Sequence, residues 1–141
     1  MTNPPSWSLL SVAKSFSADI EAFGKKMDLN ADEALRSVAL ELFGRIVEQS
    51  PVDKGRYRAS HRVSVNTVDA SVEPEGQDTY GLPSSAEISN AKFGDTVILS
   101  NNLPYAQRIE DGWSGQAPAG VYGPAFDAVS SIIGIVLRGN N

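Results

Sequence analysis

Thr96-Val97-Ile98-Leu99-Ser100-Asn101-Asn102-Leu103-Pro104-Tyr105-Ala106-Gln107-Arg108-Ile109-Glu110-Asp111-Gly112-Trp113-Ser114-Gly115-Gln116-Ala117-Pro118-Ala119-Gly120 is the stretch around which the rest of the chain is organised. It opens with a β-branched apolar run, turns at Asn101-Asn102, and restarts with Pro104 at the first helical position, where the missing N–H is no loss. Gly112 stops that helix after one or two turns. The spacing puts Tyr105, Ala106 and Ile109 on one stripe and turns Arg108, Glu110 and Asp111 towards solvent. Trp113 then leads into a loop with Pro118 and glycines.

Upstream, Leu9, Val12, Ala13, Phe16, Ile20, Phe23 and Met27 recur at three- and four-residue spacing, which predicts an amphipathic helix ending between Gly24 and Asp28. Asn30 fits an N-cap with Glu33 three residues on, and Asp32 and Glu33 sit at the positive end of the helix they open. In that helix Leu35, Val38, Ala39, Leu42 and Ile46, with Phe43 and Val47 at the edge, form a broad stripe read as core. Ser50-Pro51 closes it.

The segment from Asp53 to Arg62 sets Lys54, Arg56, Arg58 and Arg62 against one aspartate, a local charge of about +3 in an otherwise acidic chain. Asp53 is placed to cap a short helical turn, and Gly55 permits a tight backbone. Two readings stay open here. One is a solvated loop; the other is a docking edge in which Arg56 or Arg58 pairs with carboxylates of a neighbouring subunit through forked hydrogen bonds.

Val63 and Val65, then Val68, Ala70 and Val72 with the parity shifted, predict a strand, a turn near Asn66-Thr67 and a second strand. His61, the single histidine, reads as a strand-edge residue; without cysteines a transition-metal site would have carboxylates alone as its other ligands. Residues 73–81 read as an exposed loop, solvated or between subunits, whose acids match no calcium-loop spacing. Ser84 to Lys92 can form two helical turns. Pro124 restarts a helix in which Phe126, Val129, Ile132, Ile133, Val136 and Leu137 share a face, and Gly139 ends it.

These elements predict an α+β fold: long N-terminal helices and a C-terminal helix packed on a small, mainly antiparallel sheet. A flexible start over 1–8 precedes a single domain over 9–139. At 141 residues the chain is long enough to bury a real core. A 41% apolar content and a net charge of -5 argue against disorder and against a general nucleic-acid binder. The absence of cysteine removes disulfide frameworks and thiolate chemistry and fits a reducing cytoplasm. Met1 to Pro5 carries no charge ahead of an apolar run and does not read as a signal peptide; the apolar run from Ile132 to Leu137 is too short to span a bilayer.

An enzyme needs a nucleophile, acid and base set, and candidates are thin. Gly112-Trp113-Ser114-Gly115 lacks the glycine two residues after serine that a nucleophile elbow requires. Adjacent Glu110 and Asp111 point about 100° apart on a helix rather than sharing a proton. No catalytic residue, cofactor or metal is expected. Tyr105, Trp113 and Tyr122, beside Gly/Pro-rich loops, are residue types that anchor protein interfaces, with Arg56, Arg58 and Arg108 as charged partners.

Ser100-Asn101-Asn102-Leu103-Pro104-Tyr105-Ala106, followed by Ile109-Glu110-Asp111-Gly112 and by Gln116-Ala117-Pro118-Ala119-Gly120, resembles a signature of the tailed-bacteriophage neck or tail-completion proteins, the family that includes the minor tail protein Z type. Ser50-Pro51-Val52-Asp53-Lys54-Gly55-Arg56-Tyr57-Arg58-Ala59-Ser60 resembles the family's other signature. The resemblance spans Phe16 to the last helix. It departs from the pattern at Lys54, where threonine is expected, at His61, near a commonly aromatic position, and at Trp113, which replaces a polar residue.

The resemblance implies a structural virion protein, assembled in the host bacterial cytoplasm, that joins head connector to tail in the neck and lines the DNA passage. It implies a homomeric ring, usually hexameric, contacting a head-closure or connector protein and a tail terminator or tail tube protein, with no membrane and no sequence-specific DNA binding. A tail-terminator-like ring capping the tail tube, or a small nucleic-acid-binding domain, is the alternative. The interface residues it points to are Asp53, Arg56, Arg58, Tyr105, Arg108, Glu110, Trp113, Gln116 and Tyr122.

Overall fold

The computed structural model describes residues 6–139, with side chains from Phe16 onward. Helix α1 (Ser6–Lys26) and helix α2 (Ala31–Gln49) are joined by a tight turn through Asp28, which takes a positive φ of 58°. The side chains of Leu9, Val12 and Ala13 lie outside the described residues, as do residues 1–5 of the expected flexible start; the helix itself runs from Ser6. The capping box at the start of α2 forms as its sequence implies. Asn30 Oδ1 accepts the Glu33 N–H at 2.8 Å, and Glu33 Oε1 accepts the Asn30 N–H at 3.0 Å.

Helix α2 is the spine of the molecule. Ala34 and Val38 pack with Ile20 of α1 and with Val129 and Ile133 of the last helix. One face further round, Ala39 and Phe43 pack on Val63 and Ile88. Ile46, near its end, joins Tyr57, Leu103, Ala117, Val121 and Ala125. Phe43 therefore lies at the centre of the buried stripe rather than at its edge.

After α2 come a short helix α3 (Arg56–Ala59), strand β1 (His61–Val65), a 3₁₀ turn (Ala86–Asn90), strand β2 (Val97–Asn101), helix α4 (Ala106–Glu110) and helix α5 (Tyr122–Arg138). The two strands pair antiparallel, with His61 opposite Asn101 and Val65 opposite Val97. The fold is α+β, with helices covering a small antiparallel sheet.

Three local expectations are corrected. The second strand over 68–72 does not form: Asp69 Oδ1 accepts both the N–H and the Oγ–H of Ser71, at 3.0 and 2.6 Å, and this local turn competes with an extended ladder. Val68 is left 64% exposed, and among the described residues 66–85 form no strand or helix. Asp53 caps nothing. The residue before α3 is Gly55, in the left-handed region, with no side-chain cap. Between Ser84 and Lys92 a single 3₁₀ segment replaces two α-helical turns. No described helix is long and apolar enough to cross a membrane.

Candidate interface site

The two blocks at 50–60 and 100–120 fold against each other. Asn101 Nδ2 donates to the Tyr57 carbonyl at 2.9 Å. Gln116 reaches across 64 residues to both backbone groups of Val52, accepting its N–H at 3.0 Å and donating to its carbonyl at 3.3 Å. Asp53, Arg56 and Tyr57 from the first block and Tyr105 and Ile109 from the second line one open groove of about 380 Å³, together with Tyr80.

Behind that surface a chain of buried polar groups binds four elements together. Ser50 Oγ donates to the Ile46 carbonyl at 2.6 Å and lies 2.6 Å from His61 Nε2. With its one proton committed to Ile46, the serine can only accept, so Nε2 carries the imidazole hydrogen. Nδ1 is then an acceptor, which fits the Tyr122 hydroxyl at 2.7 Å and the longer approach of Asn101 Nδ2 at 3.3 Å. Protons run one way, from Tyr122 through His61 and Ser50 to the end of α2. Burial, and secondarily the Arg62 charge, pushes the His61 imidazole down to about 4, in keeping with a neutral ring. Burial likewise pushes the Tyr122 phenol up, helped by Tyr57 and Glu110, so it remains a donor. The serine–histidine contact has the opposite polarity to a nucleophile and its general base, since the ring donates to the hydroxyl.

His61 does stand at the end of a strand, as the first residue of β1, but it is 1% exposed and is the hub of the network. Its edge-on packing against Tyr57, at 4.8 Å between ring centres, fills the remaining side. Periodicity could not find this, because the partners lie 11, 40 and 61 residues away. The available signal was a lone histidine at the start of a strand whose alternate residues, Val63 and Val65, are apolar.

Glu110 also differs from expectation. Its carboxylate is half-buried and caps α5, accepting the N–H groups of Val121 at 3.0 Å, Tyr122 at 2.9 Å and Gly123 at 3.0 Å. Pro124 has no N–H to satisfy, so one side chain and one proline complete the helix start. Desolvation pulls the Glu110 carboxyl up, but the donors Gly123, Tyr122 and Val121 outweigh it and hold it below its ordinary value.

The remaining candidates divide. Arg56 is turned onto its own chain, with Nε on the Glu73 carbonyl at 2.8 Å and Nη1 3.4 Å from Glu75. Arg62, not singled out from the sequence, holds the same loop through Glu73 at 3.2 Å and Ser71 at 2.8 Å. Arg58 is half-buried, and its Nε has no hydrogen-bond partner. Arg108 stacks 5.0 Å above the Trp113 ring, which is 73% exposed. Among the described residues no cluster of histidine and carboxylates gathers to hold a metal ion.

Comparison with protein-family models, with curated proteins and with solved structures finds no match to this chain.

Proposed function

We propose that the chain is a structural subunit of a tailed-bacteriophage neck, assembling with copies of itself into a ring between head connector and tail. The observation that carries this reading is the union of its two signature-like blocks: separated by some forty residues of sequence, they share one groove and are tied by Gln116 and Asn101. A merely solvated loop has no need of a buried four-element anchor behind it. The second block also carries an indole that stands out from the surface with a cation stacked on it, the kind of rigid aromatic anchor that protein interfaces use. Rings of identical subunits need such a patch to meet a different patch on the next copy. In this reading the chain acts by geometry rather than by catalysis, and its net charge of -5 keeps a channel wall from gripping DNA phosphates.

The test is mass by light scattering of the purified chain, negative-stain imaging of the same sample, and a search for the chain in virions of the phage that encodes it. Rings of one size with a central hole, and the chain in the virion, are expected. Its absence from intact virions sinks the reading.

A further inference from the structure

A second concavity, of about 470 Å³, lies between α2 and the segment 82–85. Phe43 and Val47 line it together with Leu40, Val52 and Leu82, of which Leu40 is 53% and Leu82 70% exposed. Two charged side chains line it, Arg58 and Glu48. Arg58 Nε is buried within its own chain, so a second copy does not reach it. Glu48 is exposed and has no ion pair.

The Trp113–Arg108 pair is the converse shape, and its cation is opposite in sign to Glu48. The indole stands 73% exposed, and the guanidinium over it has no carboxylate partner among the described residues. One surface of this chain is an apolar recess with an exposed, unpaired acid at Glu48; another is an aromatic knob with an unpaired cation. Each lacks within one copy what the other supplies.

We infer that Trp113 of one copy seats in the recess between α2 and segment 82–85 of a second copy, with Arg108 of the first against Glu48 of the second. The contact rests on the reading of the chain as a ring subunit and names the patches that meet. Each copy gives one knob and takes one, so the contact propagates and closes where the rotation permits. Charge opposition across it fixes register and rejects misaligned encounters.

The experiment uses the full chain with Trp7→Phe, which leaves Trp113 the sole indole. Mass and tryptophan emission are followed across a concentration series. The emission is expected to move to the blue in step with the rise in mass. Glu48→Arg and Arg108→Glu each raise the half-assembly concentration more than about tenfold, and the two together bring it back towards the parent value. Recovery in the double variant cannot come from misfolding of the single ones, and far-UV dichroism checks that each is folded. Rings that form with the emission unmoved, or a charge swap that fails to restore assembly, overturn the contact and leave the ring reading standing. A chain that stays monomeric at every concentration overturns the contact as well, and the virion search then decides the ring reading separately.

Discussion

Tyr122 donates its phenolic proton to Nδ1 of His61 across 2.7 Å, tying the first turn of α5 to the first residue of β1. The same turn is held from behind by Glu110, so α5 starts where two distant segments meet it. This corner carries the candidate interface, and its energetics are open to measurement.

Tyr122→Phe keeps the ring and removes the donor. His61 Nδ1 then has only the long contact to Asn101, and a buried acceptor is left poorly met. A loss of about 1–3 kcal/mol in urea unfolding is expected. An unchanged midpoint would mean that the network contributes no net stability.

Stability should fall in mildly acid solution. His61 binds its proton less readily folded, at about 4, than unfolded, at its ordinary 6.5. The unfolded chain therefore takes up protons first as pH drops. The stabilisation is whole above pH 6.5 and is lost between about 6.5 and 4, for a total of about 3 kcal/mol. His61→Gln should flatten this slope in unfolding free energy measured across that window, whatever it does to the absolute value.

Glu110→Ala removes the acceptor of three N–H groups at the α5 start, and a loss of about 1–3 kcal/mol is expected. Because the carboxyl is held below its ordinary value, its contribution fades only as pH falls below the normal glutamate range, a window more acid than that of His61. Gly120→Ala should act at the same place: φ there is +88°, and a Cβ would lie 2.6 Å from the Glu110 carbonyl oxygen. Thermal unfolding of both variants checks this, with Glu110→Gln expected to fall between parent and alanine.

Asn30→Ala should cost about 1 kcal/mol through loss of the capping box. Denaturant unfolding reads it directly. The effect should be independent of pH between 4 and 7, unlike that of His61.

Much of the fold was legible wherever one element's own residues settle its form. The 3.6-residue stripe of α2, the capping box at Asn30, the apolar run of β2, and the stop at Gly112, where φ is +90°, all involve neighbours within a few positions. The site was legible in part. Tyr105, Asp53 and Arg56 do share a groove, and Trp113 does stand exposed beside Arg108. Arg56 is instead engaged by its own loop, and Tyr122 is drawn into the interior.

The long helices, the capping box of α2 and the two segments that become β1 and β2 follow from local residues, because helix periodicity, capping and backbone dihedral preference act over four residues or fewer; which strand pairs with which does not. Only the tertiary structure decided the polar anchoring. Glu110 turns onto α5 because the helix's unpaired N–H groups come within reach of its carboxylate. His61 becomes a core residue because Ser50 and Tyr122 arrive on opposite sides of its ring. The valines at 68 and 72 fail to make a strand because a local aspartate–serine turn outcompetes a ladder with no partner strand beside it. Each outcome depends on which donor meets which acceptor once distant segments pack, and that pairing is not written in local spacing.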